Sequence, residues 1–189
     1  MSERRRVRVI ALVCGGVGVV LVGLIVLLAT RGHSQATTLE SPLLGHEAPA
    51  TSSVTLDGHT VSITAYRGRP LVINFFASWC PPCQQEAPQL AAFEYDQSLK
   101  TNGAAIVGVI FNDADAAVRR FVSSEGVNYP VLTDPTGGIA NAWGVTSPPT
   151  TFIVNARGVV VSALVGPLTA TQLDKAVASA SVTGGSGRG

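Results

Sequence analysis

Two cysteines separated by two prolines, Cys80-Pro81-Pro82-Cys83, are the residues of this chain whose type and spacing best suit chemistry. A C-x-x-C pair exchanges disulfides through a thiolate, which is the attacking species. The pair follows an apolar run over residues 71–77, broken only by Asn74, which reads as a strand buried on both faces. A helix is predicted over residues 81–100, with Pro88 kinking it. Cys80 then falls at a helix N-terminus, where the positive dipole end favours a thiolate. Cys83, one turn further in, can resolve a mixed disulfide. A bridge closing so short a loop removes little chain entropy, so it makes a poor structural staple. Half of a zinc site is the other reading of a bare C-x-x-C. His33, His46 and His59 show no ligand spacing to complete it. The third cysteine, Cys14, lies in an apolar stretch and reads as an unremarkable small residue.

The elements that must position the pair alternate in type. Residues 54–56 and 61–63 flank the turn dipeptide Asp57-Gly58 and read as a hairpin. Residues 105–111 form a second buried strand. Asp113 is predicted to cap a helix that buries Val118, Phe121 and Val122 and stops at Gly126. A short helix over 139–143 precedes Gly144, and Trp143 reads as core. Strands at 151–154 and 159–165 surround the turn Asn155-Ala156-Arg157-Gly158. A last helix starts at Thr169, with Gln172 as its capping-box partner, and buries Leu173, Val177 and Ala180. Helices interleaved with buried strands, then a closing hairpin and helix, predict a three-layer α/β domain.

Ahead of this domain, Val9 to Thr30 runs for 22 residues without a charge. At 1.5 Å per residue that is about 33 Å of helix, enough to cross a hydrocarbon core of ~30 Å. Arg4, Arg5, Arg6 and Arg8 precede it, and only Arg31 and His33 follow before Glu40. The positive-inside rule then keeps residues 1–8 cytoplasmic as a basic tail and sends the catalytic domain outside the cell membrane. A signal peptide cut after Ser34-Gln35-Ala36 is the competing expectation, although 22 apolar residues are long for one. The predicted organisation is thus a tail at 1–8, an anchor at 9–30, a linker at 31–45, a folded domain at 46–180 and a flexible tail at 181–189. Residues 31–189 carry nine basic and eleven acidic side chains. Nucleic-acid binding, which needs a basic face, is not expected. Outside the cytoplasm disulfides persist, which fits a reactive pair.

The stretch from Gly68-Arg69-Pro70 through Asn74 and Trp79-Cys80-Pro81-Pro82-Cys83 to Gln84-Gln85-Glu86-Ala87-Pro88 resembles the TlpA/ResA/CcmG group of membrane-anchored thioredoxin-like proteins. The likeness continues through Gly144-Val145 and Pro149-Thr150-Thr151-Phe152-Ile153-Val154. It extends to Val165-Gly166-Pro167-Leu168-Thr169, which is similar to the CcmG (DsbE) branch, and covers roughly residues 46–180. The resemblance implies a thioredoxin-like fold with a central mixed β-sheet. It implies that Pro149 is the cis-proline facing the cysteines, with the adjacent Pro148 as the other candidate. Glu86 matches the glutamate of the group's C-x-x-C-x-x-E pattern. Three residues from Cys83, it shares a helical face with that cysteine and suits proton transfer, or it complements the helix dipole. Asn74 matches a position where ordinary thioredoxins carry a buried acid. Trp79, Pro148 and Thr150 are expected to contact the client.

The implied activity is thiol–disulfide exchange with no cofactor beyond the Cys80–Cys83 disulfide itself. The implied clients are protein disulfides, apocytochrome c among them, with a membrane partner supplying electrons. Because Pro81 and Pro82 have no N–H, the Cys80 sulfur has fewer amide donors than most such sites, which favours a reducing protein. An oxidant or isomerase of exported proteins is the alternative direction. A thiol peroxidase would need a threonine where Ala77 stands, and a copper-delivery protein would need a longer cysteine spacing and a later histidine.

Overall fold

The computed structural model describes residues 14–24 and 36–183. Two compact units result, one within residues 1–34 and one from Gln35 onward. In the first, residues 14–24 are helical (α1), and Cys14 is exposed and unpaired. Among the described residues no helix is long and apolar enough to cross a membrane. The basic tail at 1–8, the remainder of the 9–30 anchor, residues 31–35 and the end of the tail at 184–189 lie outside the described residues.

The second unit holds a six-stranded mixed sheet in the order β1-β8-β7-β4-β5-β6. Its strands are β1 (Thr37–Thr38), β4 (Leu71–Phe76), β5 (Ala105–Ile110), β6 (Val131–Leu132), β7 (Thr150–Val154) and β8 (Val160–Val165), while β2 (Ser52–Val54) and β3 (Thr60–Ser62) form a separate hairpin. β4, β5 and β6 run parallel; β7, β8 and β1 are antiparallel to their neighbours. The central strands are buried on both faces, as their continuous apolar runs require.

Side-chain alternation along β4 divides the core. Val72 and Phe76 face α2 (Pro81–Ser98), α3 (Asp115–Glu125) and α5 (Ala170–Thr183), packing with Phe93, Phe121 and Leu173. Leu71, Ile73 and Phe75 face the other way, onto Trp143 and Phe152. Trp143 is core as predicted, 5.0 Å from the Phe152 ring, and its Nε1 donates to Thr51 Oγ1 at 2.8 Å. This second layer is thin. It consists of α4 (Gly138–Ala142), the 3-10 turn Ile63–Tyr66 and irregular chain around Leu39, Leu43 and Leu44.

The last point corrects one expectation. Residues 36–45 are not a free linker: β1 pairs with β8, the Leu39 N–H donates to Ala163 O, and the Gly45 N–H donates to Val160 O. A short polar run hid a sheet edge, because main-chain pairing leaves little trace in side-chain periodicity. The hairpin is also displaced. The Leu56 N–H donates to Val131 O, and Ile63 opens the 3-10 turn, so each strand lies earlier than predicted. α2 runs on through Pro88 and ends at Ser98. At the last helix the capping box forms as read: the Thr169 N–H donates to Gln172 Oε1 and the Gln172 N–H to Thr169 Oγ1.

Candidate active site

Cys80 ends the loop that follows β4 and is the N-cap of α2, with Pro81 and Pro82 as the first two helical residues. Proline suits the start of a helix because its missing N–H would have no partner there. The two cysteines form a disulfide with a Cα–Cα distance of 5.2 Å, and both are buried. The Cys83 N–H donates to Cys80 Sγ at 3.3 Å. An N-cap accepts from the second or third helical residue, and here the second is a proline. One amide is therefore left to the sulfur where two could serve.

Asp113 holds the loop before Cys80. Its Oδ2 accepts from the Ser78 N–H at 2.7 Å and from Ser78 Oγ at 2.6 Å. Its Oδ1 accepts from the Ala114 N–H. The predicted helix cap at Asp113 is thereby corrected: Ala114 is the N-cap of α3, without a side-chain bond. The carboxylate is drawn instead to a loop 35 positions earlier. Trp79 lies beside that loop, 54% exposed, with its Nε1 donating to Asn112 O at 3.1 Å. Asn112 itself has a positive φ of 45°, a conformation asparagine tolerates better than most residues. A cleft of about 740 Å³ adjoins this edge, lined by Asn112, Asp113, Pro135 and Val145 among others.

The Pro148–Pro149 peptide bond is cis, so Pro149 and not Pro148 takes that geometry. Thr150 follows at the start of β7 and pairs with Phe75 on β4, which brings the proline loop to the end of the strand leading into the cysteines. Pro149 is buried and Pro148 half-buried. The Thr150 hydroxyl is turned away into its own turn, donating to Ser147 O at 2.7 Å. Pro149 O accepts from the Gly166 N–H at 2.9 Å.

Glu86, three residues after Cys83 on α2, has 1% of its surface exposed. Neither oxygen bonds to the helix N-terminus. Oε2 accepts from Asn74 Nδ2 at 3.1 Å and Oε1 from the Leu168 N–H at 3.0 Å. Burial pushes its carboxyl up to about 7, against the lowering by those two donors. It is thus poised to take or give a proton near neutral pH. The charge of Glu86 and that of Glu94 add to burial in raising the Tyr129 phenol. Asn74 also donates to Thr151 Oγ1 at 2.9 Å. The sequence carried no signal for the Leu168 and Thr151 contacts, which are 82 and 77 positions away from their partners. Among the described residues no cluster of His, Cys, Asp and Glu could hold a metal ion.

A reactive cysteine pair capping a helix on a mixed sheet, with a cis-proline loop at the adjoining strand end, performs thiol–disulfide exchange. The protein is a thiol–disulfide oxidoreductase of thioredoxin-like fold. The chain belongs to the Redoxin family, whose profile matches residues 43–181. It is 29% identical over 170 residues to the thiol-disulfide oxidoreductase ResA of Bacillus thuringiensis subsp. konkukian, covering 90% of this chain and 91% of that one. It is 38% identical over 133 residues to the thiol:disulfide interchange protein DsbE homolog of Paracoccus denitrificans, covering 69% and 70%. The solved structure of DsbF from MTB, in mixed oxidised and reduced forms, superposes with a TM-score of 0.64 at 30% identity, covering 70% of this chain and 96% of that one. The resemblance to the ResA and DsbE types read from the motifs is therefore borne out.

Proposed function

We propose that this enzyme is a membrane-anchored, extracytoplasmic dithiol reductant of protein disulfides, with apocytochrome c as its client. The observation that carries the direction is the lone Cys83 N–H at the Cys80 sulfur. A thiolate stabilised by fewer amides makes the dithiol form less favourable, hence the protein more reducing. The likeness to ResA and DsbE proteins supports the client class. The uncharged stretch from Val9 to Thr30 behind four arginines supports the anchor and the outward orientation.

In the reduced enzyme the Cys80 thiolate attacks one sulfur of the client disulfide. A mixed disulfide forms and the client's other sulfur leaves as a thiolate. Cys83 passes its thiol proton to the Glu86 carboxylate and attacks the Cys80 sulfur. The Cys80–Cys83 bond forms, the second client sulfur leaves, and Glu86 returns the proton to it. The client gains two electrons and the enzyme loses two. A membrane protein dithiol must restore them through the reverse exchange. Exposed Trp79 and half-buried Pro148 form the surface on which the client chain is held; Pro149 and Thr150, next in the chain, are buried.

The deciding measurement is the reduction potential of the cysteine pair against glutathione. A value near the thioredoxin figure of about −270 mV is expected, and one near about −120 mV would reverse the direction. A Cys83→Ala variant should accumulate mixed disulfides with clients in growing cells. Recovery of no apocytochrome c would defeat the client assignment while leaving the reductant reading intact.

A further inference from the structure

Asn74 occupies the middle of the sheet, in register with Thr151 on β7 and Gly108 on β5. Its side chain is fully buried. Nδ2 donates both its hydrogens, one to Glu86 Oε2 at 3.1 Å and one to Thr151 Oγ1 at 2.9 Å. Its Oδ1 is buried with no hydrogen-bond partner. A buried acceptor left unpaired is destabilising, and such groups in a native core call for an explanation.

The two states of Glu86 supply one. Both groups that bond to it, the Asn74 amide and the Leu168 N–H, are donors. That arrangement suits a carboxylate. A protonated Glu86 carries an O–H on Oε2 that needs an acceptor, and a donor standing opposite opposes it. The missing acceptor is the other end of the same amide. A half-turn about the last torsion of Asn74, which is broad and roughly two-fold, exchanges Nδ2 and Oδ1. Oδ1 then accepts from the Glu86 O–H, while Oε1 keeps its bond from Leu168; Nδ2 moves to the place Oδ1 leaves, so one end of the amide is unpaired in either orientation. The Thr151 hydroxyl both donates and accepts, so it bonds to Asn74 in either orientation.

We propose that Asn74 is a positioning residue for proton transfer at Glu86, its amide turning over as Glu86 gains or loses a proton, with Thr151 as its pivot. This rests on the reading of Glu86 as the proton carrier. Among the described residues, the titratable groups on this side of Glu86 are Cys83, one turn earlier on α2, and Tyr129, from the segment before β6, whose phenol feels its charge. α5 and the sheet contribute apolar side chains such as Leu173, Val72 and Ile153 to this side of the core.

The test uses the purified full-length chain in its reduced form. The Glu86 titration is followed by carboxyl NMR, the Asn74 side-chain amide by nitrogen NMR, and Cys80 reactivity by alkylation rate against pH. The Asn74 amide signals should shift with the same midpoint as Glu86. Asn74→Leu, of similar volume, removes a bond from both states of Glu86 and should move that midpoint up by about half to one pH unit, the margin by which a hydrogen bond to a charged group exceeds a neutral one. Thr151→Val leaves nothing to hold nitrogen towards Glu86, so it should shift the midpoint the same way by less, and Thr151→Ser should restore it. An Asn74 amide unchanged through the Glu86 titration, or a midpoint unmoved by Asn74→Leu, overturns the proposal. Failure of the underlying reading looks different: Glu86→Gln would then leave the alkylation profile as it was.

Discussion

The Leu168 N–H donates to Glu86 Oε1 at 3.0 Å, joining the loop before α5 to the buried face of the active-site helix. Glu86 is held at both oxygens by donors, yet burial still keeps its carboxyl at about 7, well above its ordinary value of 4.5. Between those two pH values the folded protein binds a proton that the unfolded chain has released. Stability from this group is therefore complete below about pH 4.5 and declines as pH rises to about 7, by at most ~1.4 kcal/mol per pH unit. Urea unfolding at pH 5 and pH 8 should show the wild type losing stability on going to the higher pH. Glu86→Gln should remove that part of the slope.

The same substitution should slow resolution of a mixed disulfide. Proton-transfer groups contribute roughly 10²–10⁴-fold to rate. Stopped-flow mixing of reduced Glu86→Gln enzyme with a model disulfide should give a second step slower by about 10²-fold, with no inflection near pH 7. A rate within a factor of two of wild type would remove Glu86 from the mechanism.

Pro82 is the second residue of α2, a position whose N–H would reach the N-cap sulfur if it had one. Pro82→Ala supplies it. A hydrogen bond to a charged group is worth about 1.5–3 kcal/mol, which for two electrons is about 30–60 mV. The potential should rise by that amount and the Cys80 thiol should become more acidic. An unchanged potential would show that the prolines do not set it.

Asp113 accepts from both the N–H and the hydroxyl of Ser78. Asp113→Ala leaves both donors of the loop unpaired. The variant should lose about 1–3 kcal/mol in urea unfolding and should exchange disulfides more slowly. Restoring the loop with Asp113→Asn should recover part of the stability.

Gly108 lies next to Asn74 in the sheet, where an added Cβ would come within 2.9 Å of the Phe76 ring and 3.3 Å of the Tyr129 ring. Gly108→Ala should cost about 1–3 kcal/mol through overpacking. Thermal unfolding would register the loss; a wild-type melting temperature would show that the two rings yield freely.

Much of this protein was legible in its residues. The continuous apolar runs of β4 and β5, the proline-started helix, the Thr169–Gln172 box and the stop at Gly126 are local signals, and each acts over a few positions of chain. The same locality placed Cys80 at a helix N-terminus and denied its sulfur the amides of Pro81 and Pro82. Other features are decided by pairing across the sheet, which no local pattern records. The edge strand at Thr37–Thr38 forms because β8 offers it unpaired main-chain groups. Asp113 abandons its predicted cap because Ser78 presents two donors to it. Sequence alone put a glutamate one turn past Cys83. Only the folded chain, by bringing Asn74, Thr151 and Leu168 together around it and excluding water, made that glutamate a group that titrates near neutrality.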